Sequence, residues 1–157
     1  MCLAAELTGG LLTAPAIASG WYGALRKPSF NPPDWVFGPV WTVLFLLMAV
    51  SAWLVWKSGL DRKAVRLPLI LFYVQLVLNV MWSALFFAAG STGWALAEII
   101  LLWAAIMATT VLFARIHRTA ALLMVPYLGW VLFAAVLNAA IWYMNRGLPG
   151  PGAGMVS

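Results

Sequence analysis

Residues 67–88 read LPLILFYVQLVLNVMWSALFFA. The stretch contains no charged side chain, and its length matches the roughly 20 apolar residues a helix needs to cross about 30 Å of hydrocarbon. Similar stretches lie on either side, and they predict spans at 3–20, 36–56, 67–88, 93–114 and 119–144. Five spans and short links consume the 157 residues. The expected fold is therefore all-α, an integral membrane bundle of five transmembrane helices formed by residues 1–146. Residues 147–157, rich in Gly and Pro, form a flexible tail.

Composition agrees. Hydrophobic residues make up 65% and charged residues 8% of the chain, against about 25% charged in soluble domains. The mean hydropathy is +0.98. Too few polar side chains exist to coat a water-facing surface, so no soluble catalytic module fits. The net charge of +5 sits between apolar spans. It reads as orientation against anionic lipid, and nucleic acid is not an expected partner. Lys57, Arg62, Lys63, Arg66, Arg115 and Arg118 fall on one side of a five-span bundle, and Arg26, Lys27 and Arg146 on the other. The excess predicts a cytoplasmic N-terminus and an external C-terminus in a bacterial cell membrane.

The first span is the poorest, with Glu6, Gly9, Gly10 and Pro15. Ala16-Ile17-Ala18 also suits a cleaved signal peptide, but no basic region precedes it. Gly10, Ala14 and Ala18 share a helix face that would admit a close neighbour. Cys2 is the single cysteine and His117 the single histidine, so no cysteine metal cluster is expected. His117 reads as a solvated loop residue, and Gly90-Ser91-Thr92-Gly93 as a tight turn.

Residues 21–35 join the first two spans. Pro28, Pro32 and Pro33 fix φ and remove donors, while Trp21, Tyr22, Phe30 and Trp35 supply rigid rings. The segment reads as a stiff cover, with Trp21 and Phe30 in its lid and Trp35 in the interfacial aromatic belt.

Polar groups inside spans need partners, because an unpaired one costs several kcal/mol in hydrocarbon. Gln75, Asn79 and Ser83 recur every four residues and share one helix face, flanked by Trp82. Trp130, Ala134, Asn138 and Trp142 repeat the spacing in the last span. Trp41, Thr42, Phe45 and Met48 open the second. The amides bond neighbouring helices in one reading. In the other, amides, indoles and small residues together line an apolar cavity with a few polar groups, the usual make-up of a small-molecule site. Its ligand would be flat and mostly apolar, since indole faces stack on planar rings. Glu98 is placed near the start of the fourth helix, where the helix dipole favours an anion. No paired carboxylates, nucleophile elbow or phosphate loop appears, so acid–base catalysis lacks its parts.

The run from Trp21 to Thr42, WYGALRKPSFNPPDWVFGPVWT, resembles the signature of the TspO/MBR family, tryptophan-rich sensory proteins related to the mitochondrial translocator protein. Asn79-Val-Met-Trp82-Ser83-Ala-Leu-Phe86-Phe87 and Pro126-Tyr127-Leu-Gly-Trp130 resemble the third- and fifth-helix motifs of that family. The resemblance covers about residues 8–146. It implies a five-helix homodimer that binds protoporphyrin IX or haem as ligands, requires no cofactor, and admits isoquinoline and benzodiazepine-type compounds. It places Trp41, Asn79 and Trp130 in the pocket. It likens Trp41 and Asn79 to positions that hydrogen-bond a ligand carbonyl, and Trp41 and Trp130 to a pair linked to light-dependent porphyrin breakdown. Phe30 replaces a frequent tryptophan. Ala139 stands where animal members carry the tyrosine of a cholesterol motif, although Leu137, Tyr143 and Arg146 still fit a loose sterol pattern. The expected function is sensing or regulation of porphyrin metabolism. Tetrapyrrole transport and photodegradation are the alternatives.

Overall fold

The computed structural model describes residues 21–58 and 62–146. The 3–20 span, the small-residue face within it and the tail lie outside these residues. A short helix α1 (Trp21–Ala24) precedes α2 (Asp34–Trp56), α3 (Arg62–Ser83), α4 (Thr92–Ile116) and α5 (Arg118–Asn145). A π-helical turn (Ala84–Ala88) extends α3. The described residues are helical or in links, with four helices long and apolar enough to cross a membrane. The chain is an integral membrane helical bundle.

Local chemistry sets the helix ends. Pro33 is extended (φ −56°, ψ 142°) and Asp34 occupies the first turn of α2, where a carboxylate suits the helix dipole. Gly90 takes φ 60°, a conformation glycine adopts without strain, and the chain turns there into α4. His117 alone separates α4 from α5. Its extended backbone breaks the helix, and its Nδ1 accepts a hydrogen bond from Ala120 N at 3.4 Å. It is thus a helix cap rather than a free loop residue. Pro39, Pro68 and Pro126 lie inside α2, α3 and α5. Each deprives the carbonyl four residues earlier of its helical donor, which membrane helices tolerate where neighbours or local adjustments compensate.

The helices run antiparallel. Ser51 Oγ, near the end of α2, donates to Ala120 O at the start of α5 (2.7 Å). At the opposite end, Asn138 Nδ2 donates to Thr92 O at the start of α4 (2.8 Å). Val43, Leu46, Val50 and Trp53 on α2, and Ile70, Val74 and Val77 on α3, are exposed. Such apolar stripes face lipid. Inside, Met48, Val55, Ile106, Phe113 and Met124 are fully buried. Phe72 stacks on Phe113 at 5.9 Å between centroids.

Three expectations change. The 67–88 span is not one regular helix: Ala89 N bonds Ala84 O (2.8 Å), five residues back, so its last turn is wider. The turn after it is shorter than expected, since Thr92 and Gly93 are already helical. A Cβ on Gly93 would lie 3.0 Å from Trp142 Nε1, so glycine permits this close packing of α4 on α5. Glu98 lies beyond the first turn of α4, where the dipole effect has faded. It is buried, and neither carboxylate oxygen has a hydrogen-bond partner among the described residues.

Candidate functional site

A recess opens at the end of the bundle beneath residues 21–35. Trp82, Phe86 and Phe87 line it from α3 and the π turn, and Ala134, Leu137, Asn138 and Ile141 from α5. Tyr22 and Phe37 complete it, and the space they enclose is small, about 20 Å³. The π turn matters here. It lets the adjacent Phe86 and Phe87 both reach the recess, with ring centroids 4.9 Å apart. Trp82 stacks on Phe86 at 5.3 Å. Ala134 leaves the floor low between larger neighbours.

Polar groups border this wall. Trp82 Nε1 donates to Asn138 Oδ1 (3.1 Å), and Asn138 Nδ2 donates to Thr92 O (2.8 Å). Asn138 therefore ties α3, α4 and α5 together while lining the recess. An amide offers two N–H groups and two lone pairs, so part of its capacity remains.

Deeper in the bundle lies a second polar unit. Tyr127 is fully buried and donates to Gln75 Oε1 at 2.9 Å. Asn79 Nδ2 donates to the Tyr127 hydroxyl at 3.1 Å. Ser83 Oγ bonds Asn79 O (3.3 Å), and Gln75 Nε2 lies 3.9 Å from Met48 Sδ. The Gln75–Asn79–Ser83 face is thus turned inward, with its amides bonded to α5 through one tyrosine.

Around this unit runs an aromatic band. Trp41 meets Tyr127 edge-on (6.2 Å) and Phe45 at a tilt (5.7 Å). Trp130 contacts Phe37 (5.9 Å) and Phe133 (5.5 Å). Phe133 in turn meets Phe30 of the cover (6.4 Å). Trp130 Nε1 is buried without a hydrogen-bond partner among the described residues. Phe37 joins band and recess, since it belongs to both.

The sequence-derived residues thus fall into two groups. Trp82, Ala134 and Asn138 line the recess. Trp41, Phe45, Asn79, Trp130 and Phe30 belong to the adjoining band and polar unit. Trp21 is in α1, and its side chain lies outside the described residues. Sequence reasoning placed Tyr22 in the cover, and Phe37, Phe86, Phe87 and Tyr127 in the motifs, but assigned none of the five to the site. Of the loose sterol pattern, Leu137 is buried in the recess wall, whereas Tyr143 is 62% exposed and carries Arg146 over its ring at 4.2 Å. The two do not share a face.

The cover is held by several contacts. Tyr22 is 5% exposed and contacts Phe87 at 5.6 Å. Its hydroxyl donates to Asn31 Oδ1 (3.3 Å). Burial, and then the Asp34 carboxylate, raise the Tyr22 pKa above the ordinary 10.0. Lys27 Nζ sits 3.8 Å from the Tyr22 ring centroid and 3.8 Å from Asp34 Oδ1. Asn145 accepts from Arg26 N (2.9 Å) and donates to Arg26 O (2.8 Å).

Known proteins share this arrangement of sequence. The chain is 46% identical to a tryptophan-rich protein TspO of Chlorobaculum tepidum, over 92% of this chain and 91% of the relative. It is 45% identical to the translocator protein of Homo sapiens, over 83% of this chain and 78% of the relative. It is 34% identical to a tryptophan-rich sensory protein of Cereibacter sphaeroides, over 94% and 89%. Residues 1–144 match the TspO/MBR family, and the chain belongs to that family.

Proposed function

We propose that this protein binds a planar tetrapyrrole, protoporphyrin IX or haem, beneath the 21–35 cover and thereby senses or regulates porphyrin metabolism. The observation that carries the reading is the recess itself. It has an aromatic and aliphatic wall, a small residue at its floor and an amide at its edge, which suits a flat apolar ring with few polar groups. Ligand sites generally occupy about 300–1,000 Å³, whereas the shut recess encloses only about 20 Å³. A macrocycle therefore needs the cover to move, and it can then reach Phe37 and the band of Trp41 and Trp130. Asn79 and Trp41 act as polar neighbours of the bound ring in this reading. Isoquinoline and benzodiazepine-type compounds would compete for the same wall. A homodimer is the proposed assembly, and a sterol a weaker partner.

The test is a titration of the purified protein with protoporphyrin IX, followed by quenching of tryptophan emission. Saturable quenching with one site is expected, and emission that declines only in proportion to porphyrin absorbance would reject the site. Flux of porphyrin into liposomes would move the reading to transport. A specific observation favours a second reading, porphyrin photodegradation: the Trp130 indole N–H has no partner among the described residues and lies within the aromatic band. Indole is more easily oxidised than benzene, so Trp41 and Trp130 would pass an electron to a photoexcited ring without acid–base residues, with dioxygen as the terminal oxidant that takes the electron on and supplies the oxygen for ring breakdown. Illuminated loss of porphyrin absorbance that disappears in Trp130→Phe would support it.

A further inference from the structure

Most of what holds the cover is internal to it or is ring contact. Tyr22 bonds Asn31 within the same segment, and Lys27 leans on Tyr22. The Lys27–Asp34 pair reaches the first turn of α2 at 3.8 Å, with the Asp34 side chain 51% exposed, and such surface pairs contribute little. One attachment differs. The Asn145 side chain takes both backbone groups of Arg26, as acceptor from its N–H (2.9 Å) and donor to its C=O (2.8 Å). This is the hydrogen-bond pattern of a strand pair, formed by a side chain 119 residues away. Asn145 is 8% exposed and its Nδ2 also bonds Ile141 O (2.8 Å) within α5. The amide is therefore held from behind by its own helix and aimed at the cover. Ile141, one turn earlier, lines the recess.

We propose that Asn145 is the latch of the cover: its paired hydrogen bonds to the Arg26 backbone keep residues 21–35 shut over the recess and set how fast a ligand enters and leaves. The inference rests on the reading of the recess as a ligand site, but the latch itself acts on the empty protein too. Because the bonds go to backbone, any residue with a backbone N–H, that is any but proline, serves at position 26, and the identity of residue 145 is decisive. An aliphatic side chain or an ionised carboxylate cannot serve both the N–H and the C=O of one residue.

The experiment uses Asn145→Ala and Asn145→Asp beside the unaltered protein. Asn145→Asp keeps an acceptor for Arg26 N–H and loses the donor to Arg26 O. The first readout is hydrogen exchange of the ligand-free protein. Amides of residues 21–35 should exchange on the order of tenfold faster in Asn145→Ala, the consequence of losing two hydrogen bonds, and less so in Asn145→Asp, while those of α3 and α4 stay protected. The second readout is stopped-flow protoporphyrin IX binding. Association and dissociation rates should both rise, with a smaller change in Kd, which is the mark of a gate. A general loss of folding would instead lower the active fraction without raising either rate. Unchanged exchange of residues 21–35 in folded Asn145→Ala overturns the latch. If that variant does not fold, unchanged exchange in Asn145→Asp does the same. If no porphyrin binds even the unaltered protein, the ligand reading fails, and the exchange result still decides the latch.

Discussion

The two ends of the bundle are built differently. At the end where α2 meets the start of α5, the interior is closed. Val55, Phe113 and Ala120 are fully buried, Ser51 bonds Ala120 O, and Phe72 stacks on Phe113. At the cover end, rings stand around a small recess. Phe86, Phe87 and Trp82 face α5 across Ala134, and among the described residues the short 21–35 segment, through Tyr22, covers them. In lipid there is little hydrophobic drive between helices, so contact and hydrogen bonding decide association. The closed end supplies both and acts as the foundation. The cover end gives up contact, and this is the part of the molecule free to serve a ligand.

Substitutions at the two ends should therefore separate stability from binding. The largest stability effect is expected at the closed end. Phe113→Ala opens a void opposite Phe72 and should cost about 3 kcal/mol, read as a lower melting temperature in detergent, with porphyrin affinity preserved in the folded fraction. Porphyrin affinity that collapses without a change in melting would erase the distinction between the ends.

Tyr127→Phe lies between the two. It deletes the hydroxyl shared by Gln75 and Asn79 and leaves two amide groups without their partner, a loss of about 1–3 kcal/mol. Asn79→Ala removes one bond and should cost about 0.5–1.5 kcal/mol. Thermal melts of both rank the polar unit as helix tie. If Asn79→Ala melts normally yet binds porphyrin up to about tenfold more weakly, its main work is in the pocket.

The smallest effect is at the cover and depends on pH. The Tyr22 phenol is raised above 10.0 by burial first, so the shut cover favours the neutral form. That stabilising contribution is complete below pH 10 and is lost as pH rises through the higher folded value. Porphyrin release should accelerate above pH 10, and Tyr22→Phe should remove the acceleration. Release rates that stay flat across that range in the unaltered protein would separate Tyr22 from the closing of the cover.

Much of this was legible in the sequence for definite reasons. Long apolar runs, interrupted by a charge only at Glu98, revealed the four described spans, because only length and apolarity are needed to cross a bilayer. The Gln75–Asn79–Ser83 face was legible because all three side chains are buried. The same four-residue step misled on α5. Each such step advances about 40° around a helix of 3.6 residues per turn, so Trp130 and Trp142 drift to the flanks. The buried line runs instead through Tyr127, Val131, Ala134, Asn138 and Ile141. That period would have found Tyr127. The π turn and the Asn145 clasp left no local pattern: one depends on a five-residue hydrogen bond, the other on a contact across 119 residues. Glu98 was misplaced because a position in sequence does not reveal whether a carboxylate can reach the interface.

The central claim is that the recess beneath the cover holds the flat ligand, and filling it tests this most directly. Ala134 is 8% exposed at its floor. Ala134→Leu adds bulk where the ring would lie, while Phe113 and the closed end are untouched. Protoporphyrin IX should be titrated into both proteins by tryptophan quenching, with melting temperatures recorded on the same samples. The account predicts a Kd raised tenfold or more, about 1.4 kcal/mol, with melting close to that of the unaltered protein. An unchanged Kd in well-folded Ala134→Leu would contradict it and place the ligand elsewhere on the bundle.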